Sequence, residues 1–362
     1  MNSRREIVVT TRLPPLICGV GTYSWFLHKY CLNEAKTTHF LVMEGATESR
    51  AALDCVAIDD FAGQARKLTD SFSEPRATRV LLHYSGRGYH RLGCPTWLPG
   101  ALRNWKTTCP GGKLVVLFHE IPGELPIYSR HFWLGKIEAR IIRQLATLAD
   151  IVIANSETHV DTLRILSGRN DIAWVPVGSN IELTDSSSTP RKQTEFVVFG
   201  LPFGRQQTLR IFEFQIKKWR GAGLLTKLHL LGPEDGKTDV EETALARDFS
   251  GIMVRHGLRR ATDISQLLQQ ARFCLTNVTR STWSKSSVFM ACAAHGCAVV
   301  IKRPENEIPL CYAIGEDEVG RISDAEVTAR SDLLNKWYAE NAAWPVIARR
   351  FAELSRANGG LA

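Results

Sequence analysis

No apolar run approaches the ~20 residues that cross a bilayer as a helix. The opening stretch, MNSRREIVVTTRLPP, enters a strand pattern without the apolar core of a signal peptide. The nine cysteines (Cys18, Cys31, Cys55, Cys94, Cys109, Cys274, Cys292, Cys297, Cys311) form neither a CxxC pair nor a regular disulfide spacing. Several sit inside apolar runs, where a thiol acts as a small hydrophobe, so a reducing cytoplasm is expected. There is no HExxH, no clustered Cys/His and no convincing DxD pair, and neither a metal nor a cofactor is expected. A GxxxxGK[ST] loop and a GxSxG elbow are also missing. The net charge is +8 at pH 7, yet Lys and Arg are scattered and no nucleic-acid motif appears. That discounts nucleic acid as a partner and leaves open contact of a basic face with the inner surface of a membrane.

What is present is an alternation. With 362 residues, 44% hydrophobic and 23% charged, the chain has material for two cores. Short Val/Ile/Leu runs, such as Glu6–Thr11, Arg79–Tyr84, Lys113–His119, Ile151–Asn155 and Ile172–Val177, alternate with helical stretches, including Thr22–Leu32, Phe61–Ser71 and Phe132–Leu148. The scheme repeats at Glu195–Gly200, Lys227–Gly232, Phe273–Val278 and Cys297–Ile301, with helices over Gln207–Arg220, Val240–Asp248 and Val288–His295. This predicts an α/β protein of two Rossmann-like doubly wound domains facing across a cleft. Residues 1–181 form the first domain, the polar segment 182–194 a linker, and 195–335 the second domain. A C-terminal helix over about 336–362 is placed to pack back on the first. Ligands of such sheets bind at the carboxyl ends of the strands.

The segment from Ala271 to Ile301 reads as strand, polar loop, buried helix and second strand. Ser284, Ser286 and Ser287 offer caps before an all-apolar helix, and Gly296 stops it. Free amides, hydroxyls and Lys285 at that end suit a phosphate, although a plain capped core helix is an even alternative. After the strand ending at Phe199, Gly200 and Gly204 free the backbone and Arg205 brings a cation that forks onto phosphate oxygens. A solvated arginine is the bland alternative. In the first half, Gly19 and Gly21 form a second glycine turn, short of a dinucleotide fingerprint. Tyr84, Arg87, Tyr89 and His90 make an aromatic, basic loop suited to sugars, weighed equally against an ordinary surface loop. His119 closes a strand beside Glu120 as a ligand binder or acid–base group.

Together the segments GVGTYS, LFHE, ADIVIANSE, VPVGSN, FGLPFGR and AHGCAVVI resemble the two-domain GT-B glycosyltransferases, particularly the retaining family-4 group. The resemblance runs through most of the chain. It implies transfer of a sugar from a nucleotide diphosphate sugar, held by the second domain, to an acceptor hydroxyl on a glycan, lipid-linked or small-molecule acceptor held by the first. It also implies that a helix N-terminus with Arg and Lys, here Arg205 and Lys285 with the amides of Ser286 and Ser287, stabilises the departing diphosphate without a metal. One departure stands out: the family's two glutamates, eight residues apart, would fall on Trp283 and Ala291. Lys285 among the serines is then the expected replacement. A non-catalytic sugar- or nucleotide-binding module and a sugar-nucleotide epimerase are the competing expectations.

Overall fold

The structure is a computed structural model that describes residues 4–31, 36–43, 55–57, 77–121, 130–184, 190–235, 249 and 251–357. The chain divides into two compact units, Met1–Pro176 with Ile347–Ala362, and Val177–Val346. The helices expected over 61–71 and 240–248 lie outside the described residues.

The first unit is built on seven parallel strands: β1 (Arg4–Thr10), β2 (Lys36–Val42), β3 (Cys55–Ala57), β4 (Ala77–Tyr84), β5 (Lys113–Phe118), β6 (Ile151–Ala154) and β7 (Ile172–Trp174). Their order is β3-β2-β1-β4-β5-β6-β7, so direction of travel reverses between β1 and β4. The runs KLVVLF and IVIA are buried along nearly their whole length, as strands covered on both faces must be. Between strands lie α1 (Gly19–Cys31), α2 (Gly86–Tyr89), α3 (Trp97–Thr108), α4 (Arg130–Leu148) and α5 (Glu157–Ser167). Helix α5 shows its stop and start signals plainly: Ser156 accepts from the His159 amide, and Gly168 closes it at φ 74°. Helix α3 is disguised in sequence by Pro99 and Gly100; Pro99 is tolerated because it falls in the first turn, where its missing N–H has no intrahelical partner. Trp105 of α3 packs with Leu114, Val116 and Ile142 in the core.

The second unit has six parallel strands: β8 (Lys192–Phe199), β9 (Lys227–Leu231), β10 (Met253–Gly257), β11 (Ala271–Leu275), β12 (Ala298–Ile301) and β13 (Ile314–Gly315). They are ordered β10-β9-β8-β11-β12-β13, with the reversal between β8 and β11. Its helices are α6 (Pro202–Gly221), α7 (Ala261–Gln270), α8 (Ser287–Ala294) and α9 (Asp324–Asn341), and the last helix, α10 (Trp344–Ala357), starts in this unit. Strand β8 starts inside the segment expected as linker. Just before it, Arg191 donates to the carbonyls of Leu268 and Ala271 through Nη1 and of His295 through Nη2, capping the ends of α7 and α8. The C-terminal helical stretch is two helices, the second opening at Trp344-Pro345, and from Ile347 onward it belongs with the first unit.

Candidate functional site

In the second unit the three strands on one side of the reversal end in glycines whose conformation only a residue without Cβ adopts easily. Gly200 after β8 has φ 139°, Gly232 after β9 has φ 131°, and Gly257 ending β10 has φ 61°. The Gly200 amide donates to Leu231 (3.0 Å) and the Gly232 amide to Gly257 (3.2 Å), so the three strand ends are stitched together. A Cβ on Gly232 would stand 2.0 Å from the Gly200 oxygen.

Helix α8 comes up beside this edge. Ser286 is its N-cap, accepting from the Phe289 amide at 3.2 Å. The amides of Ser287 and Val288, in the first turn of α8, have no intrahelical carbonyl to bond, and Lys285 is exposed one step earlier in the short turn Trp283–Lys285. A Cβ on Gly200 would touch Val288 Cγ2 at 3.3 Å, so the β8–α6 turn and the first turn of α8 meet. The two segments singled out in the second half of the sequence are thus brought together. Gly204 has open space around it in the first turn of α6. Helix α8 is buried from Phe289 to Ala293 and followed by Gly296 at φ 59°, as its all-apolar sequence and glycine stop require.

Two residues there, Arg205 and Ser284, differ from expectation. Arg205 is neither solvated nor offered end-on to an anion: it is 2% exposed, and Nη1 donates to the carbonyls of Gly200 (2.8 Å) and Pro233 (2.9 Å). Ser284 is buried and its carbonyl accepts from the Val177 amide at 2.9 Å, so it anchors the chain entering the unit. Trp283 packs edge-on against Trp337 at 5.3 Å, and Ala291 is fully buried; core packing occupies the two positions where glutamates were expected.

In the first unit the turns after β1 and β4 also meet, with the Gly88 Cβ position 2.1 Å from Thr11 Cγ2. Gly21 is required by the Arg12 carbonyl, 1.4 Å from where its Cβ would be, whereas Gly19 is open. Tyr84 and Tyr89 are corrections to the sugar-stacking loop. Both are fully buried; Tyr84 stacks on Tyr89, whose hydroxyl reaches the carbonyls of His83 (2.8 Å) and Val9 (3.1 Å). Apolar rings at the end of a buried strand fill the core before they decorate a loop. His90 Nδ1 accepts from the Leu92 and Cys94 amides, closing a turn, while Arg87 is exposed.

His119 is 6% exposed and shares a hydrogen bond from Nε2 to His83 Nδ1 at 3.0 Å. Burial, helped by the nearby His159, pushes its pKa down to about 3, so it is a neutral imidazole at physiological pH. Its neighbour Glu120 is exposed and accepts from Ser85 Oγ at 2.7 Å. Glu138 of α4 joins this group: its carboxyl occupies the space a Cβ on Gly86 would need, 2.1 Å away. Burial first and the Glu120 charge second raise Glu138 to about 7, against the pull of Arg87. The sequence reading missed Gly232, Pro233, His83 and Glu138. A Gly-Pro pair after a strand is a legible turn signal; a glutamate inside a helix carries no mark at all. Among the described residues no group of three or more His, Cys, Asp or Glu is arranged for a metal ion, and no helix is long and apolar enough to cross a membrane.

Each unit is a parallel sheet whose strand order begins 3-2-1-4-5-6, with a seventh strand added at the edge of the first, and known structures share this fold. No family model matches the sequence, and no curated protein matches it. Anabaena Alr3699/HepE in complex with UDP-glucose is similar over 98% of this chain and 99% of its own, with 14% identity and a TM-score of 0.69. WaaG, a glycosyltransferase involved in lipopolysaccharide biosynthesis, is similar over 96% and 99%, with 11% identity and a TM-score of 0.64. The N-terminal domain of Candida albicans trehalose-6-phosphate phosphatase is similar over 98% and 97%, with 12% identity and a TM-score of 0.66. The chain has the GT-B glycosyltransferase fold.

Proposed function

We propose that the protein is a glycosyltransferase that moves a sugar from a nucleotide diphosphate sugar to an acceptor hydroxyl, with retention and without a metal. The observation carrying this is the meeting of the Gly200 turn with the α8 N-terminus and the exposed Lys285 at the strand reversal of the second sheet. Unpaired amides and a cation at a switch point suit a diphosphate. As the bond from the anomeric carbon to the diphosphate oxygen breaks, negative charge grows on that oxygen. The Ser287 and Val288 amides and the Lys285 ammonium meet it there, lowering the barrier because they bind the transition state more strongly than the ground state. The acceptor hydroxyl attacks from the leaving-group side and passes its proton to the departing phosphate. Burial leaves His119 uncharged, so its task is a hydrogen bond that orients sugar or acceptor. Glu120 and Arg87 are the exposed groups of the first unit that would hold acceptor hydroxyls.

The acceptor class, glycan, lipid-linked or small molecule, follows from the same resemblance, as does a cytoplasmic setting, which the free thiols of the described cysteines support. Contact with the inner face of a membrane is supported by Trp133 and Ile137, 65% and 44% exposed on α4 and interleaved with exposed Lys136 and Arg140. The test is release of nucleoside diphosphate from UDP-, GDP- and ADP-sugars by wild type and Lys285→Ala. Transfer by one donor, reduced ~10²–10³-fold in the variant, is expected; binding without turnover would favour the non-catalytic module.

A further inference from the structure

We propose that Arg205 is a positioning residue that acts on the donor site through the Gly200 and Pro233 carbonyls, leaving the diphosphate to Lys285 and the α8 amides. This rests on the donor-site reading above for its functional consequence, while its structural half stands alone.

An Nη group carries two hydrogens. In Arg205 both of those on Nη1 are engaged, by carbonyls that belong to the ends of two neighbouring strands, β8 and β9. The side chain enters from the first turn of α6 and is 2% exposed. A guanidinium with Nη1 filled cannot present its end-on pair of N–H groups to a phosphate, which is the geometry that gives arginine its advantage there. The surroundings are cut to fit this arrangement. Gly232 lies beneath the guanidinium, and a Cβ on it would stand 2.7 Å from Nη1 as well as 2.0 Å from the Gly200 oxygen. Its φ of 131° adds a backbone reason for glycine at the same place.

The consequence reaches the site through Gly200. That residue holds φ 139°, and a Cβ on it would already meet Val288 Cγ2 at 3.3 Å, so its placement sets the gap between the β8–α6 turn and the first turn of α8. Fixing the Gly200 carbonyl from Arg205 fixes the wall against which a diphosphate on the α8 amides would lie. Lys285, one residue before the cap and exposed, is built the opposite way: a cation on a flexible stem available to a ligand.

The two roles separate cleanly in measurement. A phosphate-binding cation adds nothing to the nucleotide-free protein and discriminates UDP from uridine. A positioning residue stabilises the nucleotide-free protein and serves both ligands alike. For Arg205→Met the thermal midpoint without nucleotide should fall by roughly 5–10 °C, and the Kd values for UDP and uridine should rise by the same factor. Gly232→Ala should reproduce both effects. Lys285→Ala should leave the nucleotide-free midpoint in place and weaken UDP alone, by about tenfold. If Arg205→Met does not fold, Arg205→Lys carries the comparison, with a smaller fall and the same equal loss. An unchanged or higher midpoint in Arg205→Met, or a loss confined to UDP, overturns the proposal. Failure of wild type to bind any of UDP, GDP and ADP would count against the donor reading and leave the stability result to decide the role of Arg205; if GDP or ADP binds in place of UDP, it and its nucleoside take the place of UDP and uridine.

Discussion

Glu138 and His119, near the first unit's strand ends, are both shifted by burial, and they bend stability in opposite directions. Glu138 rises from its ordinary 4.5 to about 7, so the folded state holds the proton more tightly than the unfolded one. Its contribution is complete below pH 4.5 and is lost as pH rises through about 7. Glu138→Gln stays neutral throughout and should therefore be more stable than wild type at pH 8 and about equal at pH 4.5, as read from urea midpoints. His119 falls from 6.5 to about 3, so the unfolded state takes the proton first. Stability from this histidine is complete above pH 6.5 and declines toward pH 3. Nitrogen-15 spectra should accordingly show His119 neutral down to pH 5, and the rate profile should carry no limb from it between pH 5 and 8. A protonated His119 at pH 6 would remove the buried-pair description.

Helices and turns carry the next set of consequences. Ser286→Ala removes the side-chain acceptor for the Phe289 amide at the start of α8. The expected cost is about 1 kcal/mol, with a weaker grip on nucleoside diphosphate. Gly86→Ala forces a methyl into the Glu138 carboxylate and to 2.6 Å from the Gly93 oxygen. Overpacking of that kind costs about 1–3 kcal/mol, measurable as a lower urea midpoint. At this scale the sequence was a good guide wherever one chemical signal dominates. The VFMACAA run flanked by serines and Gly296 announced α8 and its cap, because an all-apolar helix has to be buried and needs its ends satisfied locally. It misled where a side chain's destination depends on a distant strand. Tyr84 and Tyr89 looked like loop aromatics, yet Tyr84 packs on Phe118 of β5 and Tyr89 on Tyr84, and nothing near residue 84 in the chain encodes the Phe118 partner. Arg205 looked like a phosphate ligand because the Pro233 carbonyl that holds it lies a strand and a helix further on.

For the whole molecule, the strand orders explain why two short, separate stretches of sequence matter together. Strand order reverses between β8 and β11, the kind of place where a crevice opens at the strand ends, and the Gly200 turn and α8 follow these two strands. That placement is topological, and only the alternation of strands and helices along the chain hints at it. Family likeness at 10–14% identity adds the fold and stops there. The account therefore depends on nucleotide recognition by the second unit, and thermal unfolding with a panel of UDP, GDP and ADP tests it most directly. One nucleoside diphosphate should raise the midpoint of wild type, corresponding to about 2.7 kcal/mol at a hundredfold excess over Kd, and Lys285→Ala, with its roughly tenfold weaker binding, should lose about half of that shift. No shift with any of the three, or a shift that survives Lys285→Ala intact, would contradict it.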